Sequence, residues 1–196
     1  YSFYYPYPDY KFPTVIYSDR RLPVVGELTD NIRNFDRDRL ITFNEKYVYD
    51  GLIEDGSFPD FSNSFMVITG EMPEMTYVKY SNDRAESYQL CTALLETAEG
   101  REIRKYPLTE QAKGHVREME HSCRLLKERY AGSDLRINEC ILPADGSYAG
   151  FDFEEGVTLE ELMDKALFQD DTEEFERLFE RYLQLISYGE DSGVTD

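Results

Sequence analysis

Two charged residues, Lys105 and Glu120, have the types and the spacing that could do chemistry. Lys105 lies in residues 101–106, whose pattern predicts a β-strand. Glu120 lies at the margin of an apolar helical stripe, between Val116 and Cys123. An ion pair from strand to helix would hold the lysine ammonium still, and a fixed ammonium can bind phosphate groups. The alternative is an ordinary exposed lysine and a boundary glutamate.

The elements expected to position these residues form a regular series after residue 75. Five segments have strand-like patterns: residues 77–80, 88–95, 101–106, 135–142 and 148–153. Between the third and the fourth, apolar residues recur at steps of three and four, which predicts a helix with Thr109 as its N-cap and Gly132 near its end. We therefore predict an α+β fold built on a five-stranded antiparallel sheet with one packed helix.

Further elements are predicted on both sides of this sheet. Downstream, Thr158 and Glu161 form a capping box that begins the first of two amphipathic helices. The second helix is expected to begin near Thr172. Upstream, residues 1–24 are rich in tyrosine and proline, and we expect an extended, irregular segment there because proline limits regular strand pairing, followed by a possible strand at residues 14–17. Residues 64–69 form a further short apolar run of strand type.

Residues 76–188 resemble a known enzyme superfamily in the order of their elements, in Lys105 on the third strand and in the helix that follows. The sequence Phe-Asp-Phe-Glu-Glu-Gly-Val-Thr-Leu at residues 151–159 is similar to the hinge of kinases. The resemblance is to the small lobe, hinge and first large-lobe helices of the protein-kinase-like superfamily, including its aminoglycoside-phosphotransferase branch. It implies ATP and Mg²⁺ as cofactors, with Lys105 on the α and β phosphates and Glu120 as its partner.

The resemblance also implies where the adenine edge would bind, namely at backbone groups of Phe153, Glu154 and Glu155. The glycine-rich loop of the superfamily belongs between the first two strands, but residues 81–87 contain no glycine. Close approach of backbone to phosphate is harder without glycine, so side chains would have to replace it. The candidates are Ser81, Asn82 and Arg84.

The superfamily's catalytic Asp and Asn and its metal-binding Asp belong to the large lobe, beyond the second amphipathic helix. We therefore expect the chain to be a piece of a longer protein that needs its large lobe as a partner and cannot transfer phosphate alone. Upstream, residues 4–13 and 61–67 resemble the closing strands of a class I S-adenosylmethionine methyltransferase. Such a domain precedes a kinase-like one in some bacterial surface-polysaccharide proteins, which would make S-adenosylmethionine the cofactor of the upstream domain.

The expected organisation has three parts. Residues 1–72 form the extended segment and the end of a methyltransferase domain, residues 76–156 form the kinase-like small lobe and hinge, and residues 157–196 form the first helices of the large lobe. The formal net charge of -19 excludes nucleic acid as a partner, because binding to phosphate backbones needs clustered Lys and Arg. The acidic residues concentrate in residues 145–196, with 16 Asp or Glu against 3 Lys or Arg.

Cysteine usage and hydropathy indicate the compartment. Cys91, Cys123 and Cys140 follow no zinc-binding or disulfide pattern, which is typical of buried thiols in a reducing cytoplasm. No apolar stretch has the roughly 20 residues of a membrane span. Two hypotheses follow: a nucleotide-binding part of a kinase-like transferase, favoured by Lys105 and Glu120, and a pseudokinase-like module that binds a protein partner, favoured by the missing glycines.

Overall fold

A computed structural model, which describes residues 1–28 and 42–193, contains one antiparallel sheet and five α-helices in that part of the chain. The strands are β1 (Ser2–Tyr7), β2 (Val15–Ser18), β3 (Met66–Ile68), β4 (Met75–Tyr80), β5 (Leu90–Thr97), β6 (Gly100–Pro107) and β7 (Ala149–Asp152). The helices are α1 (Glu45–Glu54), α2 (Phe58–Phe61), α3 (Ala112–Arg129), α4 (Leu159–Phe168) and α5 (Thr172–Asp191).

The prediction of a five-stranded sheet with one packed helix is wrong. The α+β class is correct, but the sheet has seven strands in the order β3-β1-β2-β4-β5-β6-β7. The three additional strands join through β2, which pairs with β4 at Val15–Lys79 and Ile16–Val78. The sheet therefore runs without a break across the boundary that we expected between residues 72 and 76.

One predicted strand, residues 135–142, is not formed. Its only ladder contact is an isolated bridge between Ile141 and Gly150. The side-chain amide of Asn138 donates a hydrogen bond to the Asp152 carbonyl oxygen at 2.7 Å, so a side chain occupies the edge of β7 where a paired backbone would lie. The pattern of residues 135–142 predicts a strand, but a strand also needs an available neighbour in the sheet, which the pattern does not reveal.

The tyrosine-rich segment forms a regular part of the sheet: the possible strand at residues 14–17 is present as β2, whereas residues 2–7 form β1 and not the expected irregular extension. Side chains alternate between the two faces of a strand, so Tyr5 and Tyr7 point to the same side as Tyr17. With Leu28 and Phe58 they form a buried group, named here the aromatic cluster. The ring of Phe58, at the start of α2, meets the rings of Tyr5 and Tyr17 edge-on at 6.0 Å. Helices α1 and α2 therefore cover this half of the sheet.

Helix α3 covers the other half of the same face, as predicted. Its apolar stripe buries Ala112 and Val116 against Leu90 of β5 and Ala149 of β7, a group named here the α3 cluster. The hydroxyl of Thr109 accepts a hydrogen bond from the Ala112 N–H at 3.1 Å and so satisfies one free donor at the start of the helix. Because three of its four members are alanine or valine, α3 lies close to the strands.

Helices α4 and α5 form an antiparallel hairpin beside the end of α3. Both hydrogen bonds of the predicted capping box are present, at 3.1 Å from the Glu161 N–H to Thr158 and 2.7 Å from the Thr158 N–H to Glu161. The ring of Tyr188 on α5 stacks on Tyr130 at 6.2 Å, which attaches α5 to the end of α3. Of the helices in residues 1–28 and 42–193, none has both the length and the apolar character needed to cross a membrane.

Candidate functional site

Lys105 lies on the face of the sheet that α3 covers. It pairs with Thr92 of β5 and Ala149 of β7, and the fully buried Ala149 belongs to the α3 cluster. Its side chain is half-buried, and its ammonium nitrogen lies 5.8 Å from the centroid of the Phe151 ring. An aromatic face attracts a cation, so this contact holds the ammonium beside the sheet rather than in open solvent.

Glu120 approaches the same region from the helix. It follows the fully buried Val116 by one turn of α3, which turns its half-buried carboxylate towards the sheet. Both residues act electrostatically on the Cys140 thiol, since Glu120 raises its pKa and Lys105 lowers it. The structure does not join them in an ion pair, since no such pair is formed between these two described residues.

The pKa of the Cys140 thiol depends on the charged and polar groups around it. The pKa of its thiol is raised to about 11, chiefly by burial and then by the neighbouring Cys123 and Glu120, while the Lys105 ammonium opposes the rise. We name Lys105, Glu120, Cys123 and Cys140 the Lys105 site. Sequence reasoning identified the two charged members but not the cysteines, whose 17-residue separation carries no recognised motif.

The predicted hinge lies on the same face, further along β6. The Phe153 N–H donates to the Arg101 carbonyl oxygen at 3.0 Å, so this backbone donor is used within the sheet. The Arg101 guanidinium lies 4.0 Å from the centroid of the Phe153 ring and forms an ion pair with Glu155 at 2.6 Å. Arg136 pairs with Glu154 at 2.9 Å. Sequence reasoning missed both arginines, because only folding brings them to the hinge.

Backbone donors are left free at this hinge. Within the described part of the chain, the N–H groups of Glu154 and Glu155 have no hydrogen-bond partner. Arg101 and Lys105 are four residues apart on β6, a distance of roughly 13 Å along an extended strand. The free donors, just after β7, and the lysine ammonium therefore lie towards opposite ends of β6.

The loop after β4 is closed by its own hydrogen bonds. The Ser81 N–H donates to the Leu90 carbonyl oxygen at 2.9 Å, and the Arg84 N–H to the Ser81 carbonyl oxygen at 3.4 Å. The side-chain amide of Gln89 donates to the carbonyl oxygens of Arg84 at 3.0 Å and Asn82 at 3.4 Å. Asn82 and Arg84 are exposed and Ser81 is half-buried, and no contact of these residues with Lys105 is formed in the described part of the chain.

The same loop is anchored to the start of α3 by contacts that the sequence did not indicate. The Thr109 hydroxyl donates to the Glu86 carbonyl oxygen at 2.6 Å, and Gln111 donates to the Glu86 carboxylate at 3.1 Å. The Tyr88 and His115 rings meet edge-on at 5.0 Å. A displacement of this loop would therefore shift the start of α3, the helix that carries Glu120.

The site contains groups for binding an anion but no evident metal centre. In residues 1–28 and 42–193, no three or more His, Cys, Asp or Glu side chains are grouped so that they could hold a metal ion. Lys105 can neutralise the charge of a bound anion, and Glu120 can orient the Lys105 ammonium. The free N–H groups at the hinge can donate hydrogen bonds to the edge of a planar ring.

A comparison with models of known protein families, with curated proteins and with solved structures found no match for this chain. The function proposed below is therefore supported by the geometry of the Lys105 site and by the resemblance in motif and element order.

Proposed function

We propose that this chain is the ATP-binding part of a kinase-like phosphotransferase and that it does not transfer phosphate by itself. The observation that carries the proposal is that Lys105 on β6 lies on the face of the sheet that α3 covers, while Glu120 follows the buried Val116 of α3 by one helical turn. A cation and a carboxylate on facing elements are what a phosphate clamp needs, because the carboxylate keeps the ammonium in place while a ligand arrives.

In this proposal the nucleotide lies along β6. The adenine edge binds the free N–H groups of Glu154 and Glu155, and the α and β phosphates reach Lys105. Binding of phosphate would draw Lys105 and Glu120 into a direct ion pair, since a ligand's charge fixes the ammonium that now contacts Phe151. Arg101 stabilises the part of the site where adenine binds, because its guanidinium contacts the Phe153 ring and forms an ion pair with the Glu155 carboxylate.

The remaining parts of the machinery would come from a large lobe, for which α4 and α5 are the first two helices. That lobe would supply the catalytic Asp, the Asn and the Asp that binds Mg²⁺. In the same proposal the parent is a cytoplasmic bifunctional methyltransferase–kinase of bacterial surface glycan synthesis, with S-adenosylmethionine bound upstream of β1. The support for these statements is the resemblance, together with the exposed apolar residues Leu167, Phe168 and Phe179 that a lobe would cover.

A pseudokinase-like interaction module is the second candidate. The loop after β4 favours it, because Gln89 already occupies the carbonyl oxygens of Asn82 and Arg84 and no glycine lets the backbone approach a phosphate. In this case the hairpin of α4 and α5 would bind a protein partner and Lys105 would have no ligand. The two candidates differ in one measurable property, which is the affinity for nucleotide.

Thermal unfolding with and without ATP and Mg²⁺ tests the proposal, on this chain and on the parent protein with its large lobe. At about 100 times the dissociation constant, a ligand adds about 2.7 kcal/mol of stability, which raises the Tm by about 5–10 °C for a domain of this size. Lys105→Ala should abolish the rise, whereas Lys165→Ala, an exposed lysine on α4, should keep it. No rise in either protein, or an equal rise in the Lys105 variant, would favour the interaction module.

A further inference from the structure

Two of the three free cysteines lie on neighbouring elements at the Lys105 site. Cys123 belongs to α3, and Cys140 lies in the segment that precedes β7, where it packs against the α3 cluster. Each thiol is half-buried, so neither is sealed from solvent. The third cysteine, Cys91, lies on β5 and packs with the group of Val78, Ala93 and Leu95.

Contacts on either side hold the segment with Cys140 against the helix. One turn after Cys123, the Lys127 ammonium forms an ion pair with Glu139, the residue directly before Cys140. One residue after Cys140, Ile141 forms a two-way backbone bridge with Gly150. The Cys123 thiol is itself one of the groups that act on Cys140. The ion pair ties the segment to α3 and the bridge ties it to β7, so Cys140 lies between the two, where it packs against the α3 cluster.

We propose that Cys123 and Cys140 form a reversible disulfide that ties α3 to the segment before β7 at the wall of the Lys105 site. The bond would fix the helix that carries Glu120 relative to β6 and β7, and reduction would release it. Formation of the bond depends only on the positions of the two thiols, so it stands whether or not the site binds nucleotide. A reversible pair of this kind suits a reducing compartment, where lasting structural disulfides are rare.

The reaction balances with glutathione disulfide as the oxidant. The Cys123 thiol loses its proton to solvent, and its thiolate attacks one sulfur of glutathione disulfide, which releases one glutathione thiolate and leaves a mixed disulfide on Cys123. The Cys140 thiol then loses its proton and attacks the Cys123 sulfur, which releases the second glutathione. Two cysteine thiols are oxidised to one disulfide, and one glutathione disulfide is reduced to two glutathione molecules.

Cys91 provides the matched control. In the register of β4, β5 and β6, Cys91 pairs with Tyr80 and Tyr106, whereas Lys105 pairs with its neighbour Thr92. Because successive side chains point to opposite faces, Cys91 faces away from the side that carries Lys105 and α3. Oxidation of Cys91 can therefore give a glutathione adduct but no bridge to Cys140.

The test is mass spectrometry of the chain after exposure to glutathione disulfide, followed by proteolysis without reduction. We expect a peptide pair linked through Cys123 and Cys140, formed equally in Cys91→Ser and absent from Cys123→Ser and Cys140→Ser. The oxidised chain should also unfold at a Tm higher by about 5–10 °C, because the bond closes a short loop in the unfolded state.

Two results would overturn the proposal. One is the appearance of separate glutathione adducts on Cys123 and Cys140 with no linked peptide in the folded chain. The other is a linked peptide that involves Cys91, or one that forms only in denaturant. If a serine variant fails to fold, mass spectrometry of the oxidised parent chain gives the same answer, since a Cys123–Cys140 disulfide removes two hydrogen atoms from the pair whereas separate adducts add one glutathione to each cysteine.

Discussion

The two halves of the sheet differ in whether the charged side chains beside their clusters are paired. Beside the aromatic cluster, the Arg21 guanidinium is closed in a bidentate pair with Glu27 at 2.9 and 3.0 Å and lies 4.8 Å from the Tyr77 ring centroid. Beside the α3 cluster, Lys105 and Glu120 are half-buried and remain unjoined. The first arrangement satisfies the charges within the fold, and the second leaves them available to a ligand.

The two halves also differ in the size of the side chains that pack in their clusters. The aromatic cluster fills its half with four large rings, whereas the α3 cluster relies on alanine, valine and leucine. Large rings contribute more buried apolar surface and so more stability, while small side chains let α3 approach the strands that carry Lys105. We infer that the N-terminal half supplies rigidity and the C-terminal half supplies the site.

The largest expected effect comes from Phe58→Ala in the aromatic cluster. Phe58 is 2 % exposed, so its truncation leaves a cavity and should cost about 3–5 kcal/mol in the free energy of unfolding. Val116→Ala in the α3 cluster removes less volume and should cost about 2 kcal/mol. Urea unfolding measures both, with the exposed Phe61→Ala as a control that should cost less than about 0.5 kcal/mol. Equal costs for Phe58 and Val116 would contradict the comparison.

A smaller effect distinguishes the charges. Arg21→Ala breaks a bidentate pair and an aromatic contact, and should reduce the free energy of unfolding by about 1–2 kcal/mol. Lys105→Ala should reduce it by less than about 1 kcal/mol, because no ion pair is lost. Arg177→Ala on α5 is the control, since its ion pair with Glu174 is exposed to solvent and its loss should leave the free energy of unfolding unchanged. A Lys105 variant that loses as much stability as the Arg21 variant would mean that Lys105 has a structural role.

The smallest effect concerns the pH dependence of stability. Burial raises the pKa of the Cys140 thiol from 9.0 to about 11, so the folded chain keeps a proton that the unfolded chain releases. This contribution is fully present below pH 9.0 and is lost as the pH rises towards about 11. Under reducing conditions, the Tm of the parent chain should therefore fall more steeply over that interval than the Tm of Cys140→Ala. Parallel curves would show that Cys140 does not titrate as the buried thiol described here.

Local signals in the sequence were enough for several elements. The stripe of α3 and the capping box of Thr158 and Glu161 each depend on residues within one or two helical turns, and both are confirmed. Helix geometry is set by such short-range spacing, so these predictions needed no partner. Strand pairing depends on residues far apart in the chain, and the sequence therefore did not reveal that β2 would join β4.

Some residues of the candidate site could be found from the sequence and others could not. Lys105 and Glu120 were chosen from strand position and helical spacing, and the structure places Lys105 on the sheet face that α3 covers. Arg101, which holds the hinge, and the pair of Cys123 and Cys140 were not recognised as parts of a site. Their meaning depends on which side chains meet across the sheet, and no spacing along the chain encodes that contact.

The sequence by itself determined the α+β class, helices α3, α4 and α5, the capping box of α4, the strand that carries Lys105 and the acidic character of α4 and α5. Tertiary structure alone decided that the sheet has seven strands and that the Lys105 side chain faces α3. The physical reason is that helices and caps are satisfied by neighbours in the chain, whereas a sheet and a site are satisfied by distant residues whose pairing only folding selects.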